Sequence, residues 1–582
     1  MEILNKSWKI VSNKSKSRIK TYLVLMIFVS ILEVVGISLI VPIIAAINND
    51  FLNDNFFILN RLINYFKIEN QFELVFLLLV IFLSFIFIKN IIISFFYYYE
   101  SFVSENILVE TSQKLFSNYL KSPFQFHLMR NSSELVRNVH NETEIFASTV
   151  KSIILLISES FLTIFILIFL LFYEPIGTLI VISIFLTFSL FFIFFTKLKI
   201  SNYAKTRIKY HGKSLKAIME GLLCIKDIKI LNKEFFFIEN LIQNLNKKKI
   251  EIILFNFFSN LPRLFLELII VTSVCILMFF LIKRGYSSGE IFEVVGIFVA
   301  AAFRLLPSIN KMNLTYQRFL WGSPSVKVIF SQINNLNNDK VHLKNYYIDK
   351  SQNNFNFQKE INLKKISFSY KKNSKFNISN INFTIKKGNS IGIVGASGSG
   401  KSTILNIILG LLKPKSGEIF FDDLNIKDIK GWNRNIGYVP QNVYLTDDTI
   451  YNNVAFGVGK DKSKSKKVKI SLKKAQLDKF ISTLSNKENT IVGEKGVRLS
   501  GGQIQRIGIA RALYHNPSIL VLDEASSALD YKTEKNLMSA VNLLRGKTTM
   551  IIVTHRLSTV EKCDKIIEIK NGKINKIIDR KK

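Results

Sequence analysis

At 582 residues the chain exceeds a single domain, and a 48% hydrophobic share with 50 phenylalanines excludes an ordinary soluble enzyme. A formal net charge of +35 invites nucleic acid as a partner, but no basic-aromatic module gathers the lysines, so that class is set aside. Attraction to anionic membrane lipid accounts for such a charge. Cys224, Cys275 and Cys563 are too widely separated to indicate a disulfide framework or a zinc site.

Long apolar stretches recur as far as residue 320 and then stop. Six read as membrane spans: Thr21–Ile47, Phe72–Phe96, Ile153–Tyr173, Ile176–Phe195, Leu264–Ile282 and Ile291–Leu306. Each is near the ~20 residues that cross a hydrocarbon core. Arg304 and Pro307 interrupt the sixth, which is the least regular. The first is not expected to be a cleaved signal: its apolar stretch is too long, no small-residue cleavage site follows, and a second span comes soon after. Lys6, Lys9, Lys14, Lys16, Arg18 and Lys20 precede span one, and basic residues are dense from Lys197 through Lys249. The Tyr173–Pro175 turn carries none, and the turn after span five only Lys283 and Arg284. The excess of basic residues on one side therefore predicts a multi-pass protein of the cytoplasmic (inner) membrane. Its N-terminus, the long connections Ser101–Glu144 and Lys197–Glu251, and everything after span six are expected in the cytosol.

The composition divides the chain into a transmembrane domain of six helices (1–330), an Asn-rich linker (331–357) and a second domain (358–582). The basic run Lys460–Lys473 reads as a solvated loop and helix of that second domain. Within it, Gly395-Ala396-Ser397-Gly398-Ser399-Gly400-Lys401-Ser402 fits the phosphate-binding pattern G-x-x-x-x-G-K-[ST]. The glycines let backbone N–H groups close around the β- and γ-phosphates, Lys401 reaches those phosphates, and the Ser402 hydroxyl can ligate Mg²⁺. Thr403 follows as the next candidate nucleotide contact. Such a loop by itself specifies only a nucleoside triphosphate.

A second motif narrows the class. Leu499-Ser500-Gly501-Gly502-Gln503 lies between the P-loop and the apolar strand Ile519–Leu522, which ends in Asp523-Glu524. With this LSGGQ run the chain resembles ATP-binding cassette proteins. The resemblance implies that Asp523 holds Mg²⁺ through water and that Glu524 polarises the attacking water. It further implies that His555 is the switch histidine, that Gln441 senses Mg²⁺, that Asp530 belongs to the D-loop and that Tyr370 stacks on adenine. The implied architecture is a six-helix, all-α transmembrane domain of the type IV exporter kind, followed by an α/β P-loop ATP-binding cassette. With one cassette per chain the protein is expected to be half of a transporter. ATP is then sandwiched between the Lys401 loop of one subunit and Ser500, Gly501 and Gly502 of another. The intact catalytic set favours a homodimer. Stretches near Lys121–Leu128 and Leu222–Leu231 are candidate coupling helices toward the cassettes, or ordinary helical hairpins.

Charges inside spans are costly and usually functional. Lys89, Arg263 and Arg304 fall near one level of the membrane at ~1.5 Å rise per residue, and Glu33, Glu159 and Glu267 are the intramembrane acids. Two readings stand. The cations snorkel or pair off, as Arg263 and Glu267 could at i,i+4; or they form a site for an anionic headgroup, doubled in a dimer. Leu261–Glu267, Phe303–Ser308 and the Glu33…Val41-Pro42 pattern resemble the PglK-type flippases of lipid-linked oligosaccharides. That resemblance implies arginines that engage a lipid pyrophosphate, with Lys89 standing where a third arginine is expected. It also implies that Asn49–Gln71 is an external helix near the polyprenyl tail; an amphipathic interfacial cover is the other reading. The expected function is ATP-driven flipping of an anionic lipid-linked glycan across the bilayer. A general lipid or multidrug exporter of the same architecture is the alternative.

Overall fold

The computed structural model describes residues 1–47, 70–339, 357–370, 377–426, 428–429, 432–458, 462–525 and 531–580. The chain forms two compact units, Met1–Ser122 with Met129–Asn338, and Pro123–Leu128 with Asp339–Lys582.

The first unit is helical. A short amphipathic helix, α1 (Glu2–Ile10), precedes α2 (Asn13–Ser38) and α3 (Ile40–Ile47). Ser12 caps α2, its hydroxyl accepting from the Ser15 N–H at 3.1 Å. There follow α4 (Gln71–Leu120), α6 (Ser132–Arg137), α7 (Thr143–Tyr173), α8 (Pro175–Leu223), α9 (Ile225–Leu231), α10 (Glu234–Lys283) and α11 (Ser288–Asp339), while the short helix α5 (Phe124–Leu128), between α4 and α6 in the chain, belongs to the second unit. Among the described residues, six helical segments are long and apolar enough to cross a membrane. They outlast the apolar windows that identify them. The 50 residues of α4 span about 75 Å, more than twice the ~30 Å of a hydrocarbon core.

Two differences from the sequence reading stand out. Pro307 does not interrupt the sixth span: α11 runs through both Pro307 and Pro324, and α10 through Pro262. Neighbouring helices re-satisfy the backbone groups that a proline frees in such bundles. The helix α11 also continues to Asp339, into the stretch expected to be linker. Residues 340–356, and the expected external helix at Asn49–Gln71 apart from its last two residues, lie outside the described residues.

A buried charge organises the far end of the bundle. Between α6 and α7 a π-helical turn, Asn138–Glu142, turns the fully buried Glu142 inward. Ser325 donates to its carboxylate at 2.6 Å, and Arg207 and Arg137 stand 3.6 and 3.7 Å away. Arg207 also donates to Ser325 at 3.0 Å and lies over the Trp321 ring. Four helical segments (α6, the π-helical turn, α8 and α11) thus meet on one carboxylate.

The second unit is α/β. A six-stranded sheet has the order β10-β9-β3-β8-β7-β6: β3 (Ser390–Val394), β6 (Ile436–Val439), β7 (Ile519–Asp523), β8 (Thr549–Val553), β9 (Lys565–Lys570) and β10 (Lys573–Asp579). All pairs are parallel except β9–β10. Alternate residues feed two cores: Ile519 and Val521 one, Leu520 and Leu522 the other. Burial on both faces explains why these strands read as unbroken apolar runs. A four-stranded antiparallel sheet, β2 (Ile378–Lys386), β1 (Glu360–Phe368), β4 (Ser416–Phe421) and β5 (Leu424–Asn425), adds the second layer. Within this unit Phe124 of α5 packs against the core that contains Ile519.

Candidate active site

The P-loop leaves the carboxyl end of β3, where ligands bind in open parallel sheets. Gly395 passes so close to the neighbouring chain that a Cβ there would sit 2.3 Å from the Ile569 carbonyl oxygen. Gly398 turns with φ +77°, in the left-handed region. The buried Lys401 opens helix α12 (Lys401–Ile408) and folds its ammonium into the loop, donating to the carbonyls of Gly395 and Ala396 at 2.9 Å each. Ala396 and Ser397 are exposed, Gly400 is buried, and the exposed Ser402 stands in the first turn of α12. Ser399 Oγ is buried with no hydrogen-bond partner among the described residues. A helix N-terminus, a lysine and an unsatisfied hydroxyl around a concave backbone constitute an anion cradle. Beside it Tyr370 lies with its hydroxyl 3.3 Å from Thr403 Oγ1.

The strand β7 delivers Asp523 and Glu524 to the same edge. Tyr438, on β6 directly beside β7, donates to Asp523 Oδ2 at 3.3 Å. Burial raises the Asp523 pKa above the usual carboxylate range, against the pull of the Tyr438 hydrogen bond and the Lys401 charge. Glu524 has φ +46° and its N–H donates to the Val553 carbonyl at 2.8 Å, which anchors it to the end of β8. Its carboxylate accepts from Gln441 Nε2 at 3.0 Å, and His555 Nδ1 stands 3.7 Å away. Gln441, Glu524 and His555, expected separately from sequence, are therefore one cluster. The Gln441 amide donates to Glu524, a different contact from the Mg²⁺ role expected of it.

The backbone of Gln441 ties this cluster to the signature helix. Its carbonyl accepts from Gln505 Nε2 at 2.7 Å, and Gln505 belongs to α13 (Gly501–Leu513). Ser500 caps that helix, with Gln503 completing a capping box. Ser500 and Gly501 are exposed and Gly502 is partly so. Asp530 lies outside the described residues. Sequence reasoning missed Tyr438, because only the strand order places it beside Asp523.

In the helical unit, Lys89 Nζ and Arg304 Nη2 both meet the buried Glu33, at 3.0 and 2.8 Å. Arg263 is not with them: it is two-thirds exposed and pairs with Glu267 one turn away at 3.2 Å. The expectation of three cations facing one place thus becomes a pair plus one, because Arg263 lies on an exposed face of α10. A second carboxylate, Glu159, accepts from Ser308 and pairs with Lys311 at 2.6 Å. Arg304, Ser308 and Lys311 share one face of α11 at the i, i+4, i+7 spacing.

A P-loop cassette with a signature helix, carried by a chain with six membrane-length helices, is the make-up of an ABC exporter half-transporter, an ATPase coupled to transport. Residues 21–300 match the ABC transporter transmembrane region and residues 378–527 match the ABC transporter family, and the chain belongs with these proteins. Among particular proteins, it is 28% identical over 486 residues to the ATP-dependent lipid A-core flippase of Vibrio vulnificus (strain YJ016), covering 82% of this chain and 81% of that one. The flippase of the same name from Wigglesworthia glossinidia brevipalpis is 29% identical over 503 residues, 83% of each chain. In fold, the structure of a bacterial Atm1-family ABC exporter with ATP bound superposes with a TM-score of 0.77 at 21% identity, covering 98% of this chain and 96% of that one.

Proposed function

We propose that the protein is a homodimeric flippase that uses ATP to move an anionic lipid-linked substrate out of the inner leaflet. The substrate class proposed is a polyprenyl-pyrophosphate-linked oligosaccharide. The N-terminus and cassette are placed in the cytosol, on the distribution of basic residues. The observation that carries the reading is the convergence of Lys89 and Arg304 on Glu33 inside the helical unit. Two cations on one carboxylate leave a net positive charge there, and a guanidinium fork suits phosphate oxygens. Flippases of lipid A-core among the relatives support a lipid substrate. A general lipid or multidrug exporter is the second reading, favoured by the partial neutralisation that Glu33 provides.

In the cassette the Lys401 loop and the start of α12 hold the triphosphate, Tyr370 borders the base, and Glu524 orients the attacking water with Gln441 and His555 at its carboxylate. The exposed Ser402 hydroxyl, the Asp523 carboxylate and the side-chain carbonyl oxygen of Gln441, whose amide nitrogen is given to Glu524, would hold Mg²⁺ through oxygen alone, as that ion prefers. That ion would neutralise charge on the phosphate oxygens. The second anion site, Ser500 to Gly502, is assigned to the partner subunit's nucleotide. The short helices α5 and α9 are assigned to coupling.

The test is glycolipid flipping in vesicles by expression-matched variants. Arg304→Ala should abolish flipping of the polyprenyl-pyrophosphate glycan while basal ATP hydrolysis survives, since charge-assisted contacts are about twice as strong as neutral ones. Lys89→Arg should be tolerated. Unchanged flipping by Arg304→Ala would leave the general exporter.

A further inference from the structure

Beside the first helix lies a cavity that the transport reading does not use. It has a volume of about 270 Å³ and is bounded by α1, the start of α2 and one face of α7. Leu4, Trp8, Ile19, Val150 and Ile154 give it an apolar body, and Asn5, Ser7 and Lys20 are its polar members. Ser7 is 3% exposed, and its hydroxyl is buried without any hydrogen-bond partner among the described residues. An unmet buried hydroxyl is costly, so its place on the wall points to an occupant that bonds to it.

Ile157 lines the cavity and is shared with a second groove of about 240 Å³, lined by Leu156, Ser160, Phe161 and Ile164. From Val150 to Ile164 the two follow α7 for about 21 Å, which exceeds the ~15 Å depth of one leaflet's hydrocarbon. The track has the length and the apolar character of an acyl chain.

Charge selects the headgroup. The acids nearby are engaged: Glu2 with Lys6 at 2.5 Å, and Glu110 with Ser12, Ser15 and Arg18. Lys16 lies over the Trp8 ring. Among the described residues, Lys20 has no acidic partner, nor has Lys9. An unpaired ammonium and an unmet hydroxyl lining an apolar track complement a phosphodiester joined to a fatty chain. We infer that this cavity binds one anionic diacyl phospholipid of the leaflet that faces α1, with an acyl chain along α7 and its phosphate at Lys20 and Ser7. The lipid is a resident ligand, distinct from cargo held at Glu33, Lys89 and Arg304.

Trp8 on the cavity wall makes the site measurable. The full chain is placed in phosphatidylcholine vesicles that carry either dibrominated phosphatidylglycerol or dibrominated phosphatidylcholine. Emission of Trp8 is taken as the difference between the wild type and Trp8→Phe. Brominated phosphatidylglycerol should quench that emission at a roughly fivefold lower mole fraction than brominated phosphatidylcholine, the discrimination expected of one lysine near anionic lipid. Lys20→Gln should erase the preference, and Ile157→Phe, which fills the track, should weaken quenching by both lipids. ATP hydrolysis by each variant reports that it is folded. Equal quenching of wild type by the two lipids overturns the inference, because that is what a tryptophan merely lying at the interface gives. A preference that survives both substitutions overturns it too. The comparison of lipids on the wild type needs only Trp8→Phe as its background, so a poorly folding Lys20 or Ile157 variant does not remove the test.

Discussion

In the proposed function, Glu524 is the residue on which the cassette's chemistry turns. It sits with φ +46°, takes the Gln441 amide at 3.0 Å and has His555 at 3.7 Å. Glu524→Gln keeps Asp523 and the P-loop, so the variant should bind ATP normally and lose turnover by about 10²–10⁴, the usual worth of a positioned base with its electrostatic partners. A purified variant that hydrolyses ATP at the wild-type rate would refute the assignment. At this scale the residues proposed for the chemistry could be picked out from sequence where they are contiguous, as in Gly395–Ser402, Asp523–Glu524 and Leu499–Gln503. It was silent on Tyr438 and on the Gln441–Glu524 contact, which depend on which strands end side by side. Nor could it separate Arg263 from Arg304. A helix that is apolar nearly all round gives periodicity no polar face from which to read its rotation.

Among elements, the junction at Glu142 concentrates the most buried charge. Its carboxylate is fully buried against Arg207, whose side chain is 6% exposed, and against Ser325. Arg207→Met leaves that carboxylate with Arg137 alone, 3.7 Å away, and should cost about 3 kcal/mol, whereas removing Glu142 together with Arg207 should cost less than the two single losses added. Thermal inactivation of the single variants and of the Glu142→Leu/Arg207→Met pair closes the cycle. A double variant as unstable as the sum of the single ones would show that the pair contributes nothing as a pair. The six spans were legible as apolar windows, but their full helices were not. The continuation of α4, α8 and α10 beyond the apolar residues is written in mixed polar sequence that carries no membrane signal. The passage of α11 through two prolines runs against the local propensity that sequence reasoning uses.

For the whole molecule, the exposed signature residues Ser500 and Gly501 frame the dimer prediction. If each ATP is shared between two identical chains, Lys401→Ala and Ser500→Arg proteins should each be nearly inactive alone. Mixed before assembly, they should form some dimers with both lesions at one site and none at the other, recovering about a quarter of wild-type hydrolysis after random twofold pairing. No recovery over the separate proteins would remove the shared-site homodimer. The length of α4 has a mechanical consequence for such a machine. Its 50 residues form one uninterrupted helix, so it behaves as a lever arm. A tilt of about five degrees about the midpoint of a ~75 Å rod displaces each end by roughly 3 Å, in opposite directions. Small rotations within the bilayer therefore become atomic-scale strokes outside it, without any hinge having to unfold.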